Sequence, residues 1–326
     1  VDQQAKIAVI GVGGCGCNNV KLLAELGLTQ QAKLYALNTD IVSKQQNGIS
    51  YIQLGENTTK GLGAGAKPEI GEAAANESVE QITKLITDLD LLILTAGLGG
   101  GTGSGALPVI CNLAAQINLP TICVVTLPFA FEGKKRMHHA QAALHKIEGI
   151  SNAIQVLAND KLKSTLGAKA TLLDCFAYSN QANVDCLSGL VSVLTDTALI
   201  NLDLNDIKEV LLTPSFANVS KFNLPLDNLT ELTDESLVNP LSPYQLIGRC
   251  HAALVYIKAP SDFELTDLEK IGSMFQQHIS ESALIVLGFQ QVAGNLKQIE
   301  VFYLLNGVLE KDPTGTLLLV SDNVCR

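Results

Sequence analysis

The residues with the clearest chemical potential are glycines. Gly11-Val12-Gly13-Gly14-Cys15-Gly16 follows a strand candidate, Lys6 to Ile10, and satisfies GxGxxG. Glycines in that setting let the chain turn tightly and bring backbone N–H groups against phosphate at a helix N-terminus. On its own the motif also suits a dinucleotide such as NAD. Asp40, at the end of the second strand candidate, sits near the place where a dinucleotide fold keeps its ribose-binding acid. A second loop changes the balance, because the strand candidate Leu91 to Thr95 runs into Gly97-Leu98-Gly99-Gly100-Gly101-Thr102-Gly103-Ser104-Gly105. Five glycines in its last seven residues, with two hydroxyl side chains between them, make a loop of exposed amides ahead of another helix. A dinucleotide fold has no use for such a loop there, and the Walker A lysine of a P-loop is missing. Its position after a strand argues against a merely flexible glycine stretch. The third feature is Asn201, Asp203 and Asp206, two carboxylates and an amide in one short turn after a long helix. Such a pair can orient and polarise a water; it can equally be a solvated acidic turn that caps the next helix.

These loops need a sheet to carry them. The first half alternates apolar strand-like runs with helical patterns, and Lys33 to Leu37 and Thr121 to Thr126 complete the set of strand candidates there. That order predicts an α/β fold with a parallel sheet, its ligand loops gathered on one edge. From Leu172 to Ile200 the pattern predicts one long helix, with Leu187, Val191, Leu194 and Ala198 on one stripe. Leu211 to Pro225 has two prolines and no clear period. Beyond it, Ala252 to Ala259, Leu284 to Phe289 and Ile299 to Leu305 predict strands of a smaller mixed α/β domain. Thr266 to Ile279 predicts a helix opened by a capping box at Thr266 and Glu269. The organisation expected is a nucleotide domain over 1–171, a central helix and acidic turn over 172–206, a second domain over 207–321 and a tail over 322–326.

Composition narrows the classes. With 47% hydrophobic and 17% charged residues in 326, the chain is a packed globular protein. A net charge of -10 argues against nucleic acid as a partner, since phosphate backbones are held by clustered Lys and Arg. Eight scattered cysteines without paired C-x-x-C units predict reduced thiols in a cytosolic protein. No apolar run reaches the roughly 18 residues of a membrane span, and no export signal is expected.

The loop GGGTGSG, Gly99 to Gly105, resembles the phosphate-loop signature of the tubulin/FtsZ family. Other segments agree in order: GVGGCGCNN from Gly11, LNTD from Leu37 to Asp40, KGLGAGAKPEIG from Lys60 to Gly71, PFAFEGKKRM from Pro128 to Met137, ANDKL from Ala158 to Leu162, and NLDLND from Asn201 to Asp206. Together they cover nearly the whole chain and are more similar to bacterial FtsZ than to tubulin. The resemblance implies a self-assembling GTPase of cell division. It implies that Gly13, Gly14, Cys15, Gly16, Cys17 and Asn18, with Gly100, Gly101, Thr102, Gly103 and Ser104, cradle the phosphates of GTP or GDP. Asp40 lies in the matching LNTD segment; Ala64, Gly65 and Ala66 would close over the γ-phosphate. Glu132 and Arg136 would contact ribose and nucleotide, although as bare residues they could be an i, i+4 surface pair. Asn159 and Asn180 would read the guanine edge, and Phe176, by itself an ordinary core candidate, would stack on the base. Asn201, Asp203 and Asp206 would act on the GTP of the neighbouring subunit, so that hydrolysis depends on head-to-tail assembly. Mg²⁺, and a monovalent cation such as K⁺, would accompany the phosphates without a dedicated protein site.

Further implications are a cytoplasmic protein at mid-cell, with cell-division proteins and membrane adaptors as partners, no nucleic acid and no membrane insertion. His138 and His139, after the FEGKKRM segment, are expected as ordinary helix residues. Three departures stand out. Cys15 and Cys17 replace frequent glycines and would strain the loop if either needed φ > 0. Leu212 to Leu226 lacks the family's methionine- and glycine-rich stretch, and the linker and adaptor-binding peptide expected of FtsZ do not follow within the 326 residues. These leave two alternatives: a polymer-forming relative with weak or no hydrolysis, and an NAD-dependent oxidoreductase.

Overall fold

The computed structural model describes residues 5–41, 48–167, 169–196, 198–226, 239–243, 250–293 and 298–307. The first half runs β1 (Ile7–Val12), α1 (Gly13–Glu25), β2 (Lys33–Asn38), β3 (Ile49–Gln53), α2 (Glu56–Thr59), α3 (Pro68–Glu77), α4 (Val79–Ile86), β4 (Leu91–Gly97), α5 (Thr102–Gln116), β5 (Thr121–Leu127), α6 (Lys134–Ile147) and β6 (Ala153–Ala158). Then come α7 (Leu162–Leu166), α8 (Leu172–Thr195), α9 (Leu204–Val210), β7 (Ser215–Pro225), β8 (Cys250–Ala259), α10 (Leu265–His278), β9 (Leu284–Gln291) and β10 (Gln298–Gly307).

The described strands form a single sheet in the order β3-β2-β1-β4-β5-β6-β7-β10-β8-β9. Every neighbouring pair from β3 to β7 is parallel, β10 is antiparallel to both β7 and β8, and β8 pairs parallel with β9. The chain order reverses between β1 and β4, which places the loops after those two strands side by side in the crevice where open α/β sheets take ligands. β1 and β5 are buried at every position because helices cover both faces. On one face Val9, Ile93 and Val124 pack with Val20 of α1 and Leu187 and Val191 of α8. On the other, Ile10, Leu94 and Val125 pack with Ile82, Ile110 and Leu144 of α4, α5 and α6. A third cluster joins Val255, Val301 and Tyr303 to Ile271 and Phe275 of α10.

The central helix starts where its residues dictate: Thr171 and Asp174 form a reciprocal capping box. It ends at Thr195, five residues before the expected Ile200. Leu199 and Ile200 instead pair with the Phe289 backbone of β9, and a sheet bridge is incompatible with helical φ/ψ. The unassigned stretch 211–225 supplies β7, an eleven-residue strand held by β6 on one side and β10 on the other. The expected capping box on α10 does not form. Its N-cap is Glu264, without a side-chain cap bond, and Thr266 Oγ1 donates to Glu264 Oε2 at 3.2 Å. β3 and β6 were not among the strand candidates. The expected tail 322–326 lies outside the described residues.

Candidate functional site

The two glycine loops meet directly. Gly13 opens α1 at φ 72°, and a Cβ there would lie 3.1 Å from the Gly103 nitrogen, so a side chain at Gly13 would press against the second loop. Gly101 is packed as tightly on the third segment, since its Cβ would lie 2.7 Å from that of Ala64. Gly14, Gly65 and Gly100 are different: a Cβ on any of them would meet no protein atom within 4 Å. Their backbones line the open side of the cradle. Gly65 and Ala66 both hold positive φ, at 57° and 58°. For alanine that conformation is strained. Neither α1 nor α5 has a side-chain N-cap or an acidic residue in its first turn. Their leading N–H groups and positive dipole ends are therefore available to an anion.

The side chains around the cradle mostly brace it. Ser104 is buried, and its Oγ accepts a 2.7 Å hydrogen bond from the Gly99 N–H. Thr102 and Thr39 share a 2.6 Å hydroxyl bond, and Thr59 Oγ1 donates to the Thr39 carbonyl. Asp40 is exposed and bridges to Leu62, while Asn18 is exposed in the second turn of α1. Asn19 Nδ2 donates to Thr95 Oγ1 at 2.8 Å, which ties α1 to β4. The cysteines do not strain the loop, because both lie inside α1 and neither has positive φ. Burial pushes the Cys15 thiol up to about 11, opposed by a hydrogen bond with Thr126, and the Cys17 thiol to about 12. Both are neutral at physiological pH and add no negative charge to the loop.

At the neighbouring strand ends, Glu132 and Arg136 are brought together as an ion pair, and Glu132 Oε1 also accepts from the Phe129 N–H at 2.9 Å. Arg136 belongs to α6, whose first turn abuts the second loop: a Cβ on Gly99 would lie 2.9 Å from the Arg136 carbonyl oxygen. His138 is exposed and His139 half-buried on the same helix. Asn159 is 8% exposed, at the end of β6. Asn180 is exposed on α8, and Phe176, one turn earlier, is 47% exposed. Phe176 meets Phe129 edge-on at 6.0 Å, and Phe131 stacks on Phe129 at 4.8 Å. Three groups here escaped sequence reasoning: Thr39, Phe131 and Ser179. Thr39 and Phe131 stand within the quoted LNTD and PFAFEGKKRM segments, so a signal for both existed.

The acidic turn is elsewhere. Asp203 caps α9, its Oδ1 accepting from the N–H groups of Asn205 and Asp206, and Asp206 Oδ2 accepts from the Asp203 N–H. Asn201 Oδ1 accepts from the Ala198 N–H at 2.8 Å. One oxygen of each carboxylate is thus committed to shaping the turn, and the other stays available. α8 starts beside Phe129 and Asn159, at the C-terminal ends of β5 and β6. α9 ends against Asn152, just before β6 begins, where Asn152 Nδ2 donates to the Leu211 carbonyl at 3.0 Å. The 24 residues of α8 span about 36 Å between them. The glycine loops and the carboxylates therefore occupy opposite edges of one sheet, and a single chain does not bring them together. Among the described residues no group of three His, Cys, Asp or Glu is placed to hold a metal ion, and no helix is long and apolar enough to cross a membrane.

Fold and loops thus define an α/β protein of the nucleotide-binding class, with two glycine loops at the switch point and a separate acidic turn. Residues 6–167 match the family model described as Tubulin/FtsZ family, GTPase domain. Cell division protein FtsZ of Aquifex aeolicus is 35% identical over 285 residues, covering 87% of this chain and 77% of its own length. Its counterpart in Buchnera aphidicola is 33% identical over 290 residues, covering 88% and 75%. A solved FtsZ dimer of M. jannaschii superposes with a TM-score of 0.83 at 30% identity, covering 94% of this chain and 89% of that one. The chain belongs to the tubulin/FtsZ family, and guanine-nucleotide binding with GTPase activity comes with that membership.

Proposed function

We propose that the protein is a filament-forming GTPase of cell division in which each subunit binds GTP and the next subunit supplies the carboxylates that hydrolyse it. The observation behind this reading is the separation just described: the cradle and the acidic turn lie a helix length apart, so only a second copy can join them. A contact that joins unlike edges is heterologous and propagates head to tail.

In this reading the amides of Gly13 to Asn18 and Gly100 to Ser104 hold the phosphates, helped by the N-termini of α1 and α5. Ala64, Gly65 and Ala66 close on the γ-phosphate, and Asp40 borders them. Glu132 and Arg136 face the ribose side, while Asn159, Asn180 and Phe176 face the base. The free oxygens of Asp203 and Asp206, with the Asn201 amide, orient a water of the joined site. As that water attacks the γ-phosphorus, a carboxylate takes its proton and the bond to the β–γ bridging oxygen breaks, leaving GDP and phosphate. Mg²⁺, and K⁺ if required, would ride on the phosphate oxygens, since hard cations prefer oxygen ligands, and would neutralise their charge.

In this reading the protein works in the cytoplasm at the division site, with division proteins and membrane adaptors as further partners; the cell-division role of its relatives supports it. The domain division at 171 and 206 follows the same functional logic. Light scattering with GTP and Mg²⁺, set beside phosphate release, tests the reading on wild type and Asp206→Ala. Assembly in both with release mainly in the wild type supports it; equal release from the two removes Asp206 from the mechanism. A polymer-forming relative that hydrolyses poorly would assemble in both cases and release little from either.

A further inference from the structure

Asn159 is nine-tenths buried at the end of β6, and its two amide ends are treated differently. Oδ1 accepts a 2.9 Å hydrogen bond from the Ser179 hydroxyl of α8. Nδ2 makes no hydrogen bond among the described residues. A carboxamide has one acceptor end and one two-donor end, and a serine hydroxyl has a single proton to give. With that proton spent on Oδ1, the end of Asn159 left for a ligand is a donor. Ser179 is 5% exposed, and its carbonyl accepts from Asn183 Nδ2 at 2.8 Å. Asn183 also pairs with Thr126 Oγ1 at 3.2 Å. A buried polar network thus runs from the Asn159 amide towards the hydroxyl that bonds Cys15 of the first glycine loop.

We propose that Ser179 is a positioning residue for base selection: it locks the Asn159 amide with its N–H groups outward and so favours a 6-oxopurine over a 6-aminopurine. Guanine offers acceptors at O6 and N7, whereas adenine puts an amino donor at position 6, where it would meet another donor. A donor–donor encounter in a buried site leaves both groups unpaired. Without the Ser179 hydroxyl the amide can turn over and present its oxygen, which tolerates the amino group. The proposal rests on the reading that Asn159 faces the base.

The test is equilibrium binding of GTP, ITP and ATP to the full chain, as wild type and as Ser179→Ala, Ser179→Cys and Asn159→Ala. Alanine is a better helix former than serine, so Ser179→Ala should fold, and thermal unfolding checks it. Ser179→Ala is expected to weaken GTP and ITP about tenfold each, because both carry O6, while ATP holds or tightens and the GTP/ATP ratio collapses. Ser179→Cys, a weaker donor of similar size, should fall in between. Equal weakening of GTP and ATP would reduce Ser179 to a structural role and overturn the proposal, as would no change at all. An effect on GTP but not ITP would move the contact to the 2-amino group and also overturn it. If Asn159→Ala leaves all three nucleotides unchanged, the underlying reading of Asn159 fails; if it weakens GTP while Ser179→Ala is silent, only the present proposal does.

Discussion

Asp203 and Asp206 hold each other in place: Asp203 Oδ1 accepts from the Asp206 N–H at 2.9 Å, and Asp206 Oδ2 accepts from the Asp203 N–H at 2.9 Å. The same two carboxylates proposed to activate water are therefore also the cap of α9. Structural and chemical roles can be pulled apart by choosing substitutions that remove one and keep the other.

Asp206→Asn keeps an oxygen for the Asp203 N–H but loses the charge and the basicity. Phosphate release should fall at least a hundredfold, in the range of a lost general base, with the unfolding temperature nearly unchanged. Asp203→Ala removes two cap bonds at once and should cost about 1 kcal/mol of stability in addition to activity. Parallel measurement of unfolding and phosphate release separates the two effects, and unaltered stability in Asp203→Ala would contradict the capping role.

Thr39 and Thr102 join the loop after β2 to the second glycine loop through a partly buried hydroxyl bond. Thr39→Val keeps the shape and leaves Thr102 without that partner, at a cost of about 1 kcal/mol. Nucleotide affinity should drop several-fold through the loosened loop. Titration with a fluorescent GDP analogue reads this, and unchanged affinity would show that the bond does not support the cradle.

Glu77 receives hydrogen bonds from the side chains and N–H groups of Thr58 and Asn57, of which the Thr58 hydroxyl contributes most, and they lower its carboxyl to about 2. A depressed acid adds stability that is complete above its unfolded value, near 4.5, and disappears as pH falls through the folded one. The unfolding temperature of Glu77→Gln should therefore lie below wild type at pH 6 and converge with it between about 4.5 and 2. A gap that does not narrow between pH 4.5 and 2 would contradict this.

An ion ladder crosses from α8 to the second half of the sheet: Asp185 to Lys221, Lys221 to Glu300, Glu300 to Lys258, and Lys258 to Asp196 at 2.8 Å. Every member is partly buried, so truncating the shared cation leaves two carboxylates facing each other. Lys258→Ala should destabilise the fold by about 1–3 kcal/mol, and the Lys258→Ala, Glu300→Ala pair by less than the sum of its parts. Strict additivity in unfolding experiments would show the ladder to be uncoupled.

The glycine turns were legible in the sequence; long-range pairing was not. The glycine loops could be found because close approach at Gly13 and Gly101 demands that residue type and nothing else. β6 escaped notice because Gln155 interrupts its apolar run, yet Gln155 is fully buried, its Nε2 donating to the Val156 carbonyl and its Oε1 accepting from the Val219 N–H. The end of α8 was overrun because the bridge that stops the helix comes from Phe289, far along the chain. The strand after α9 was hidden because its pairing partners β6 and β10 hold it, not its own periodicity. Ser179 was hidden for a related reason, since a hydroxyl inside a helix carries no pattern until its partner Asn159 is known.

The central claim is that neither edge of the subunit hydrolyses GTP alone. Phosphate release per molecule, followed while the protein is diluted in constant excess GTP and Mg²⁺, tests it most directly. The account predicts a rate per molecule that collapses below the concentration at which subunits associate. A rate that stays constant through that dilution would contradict it.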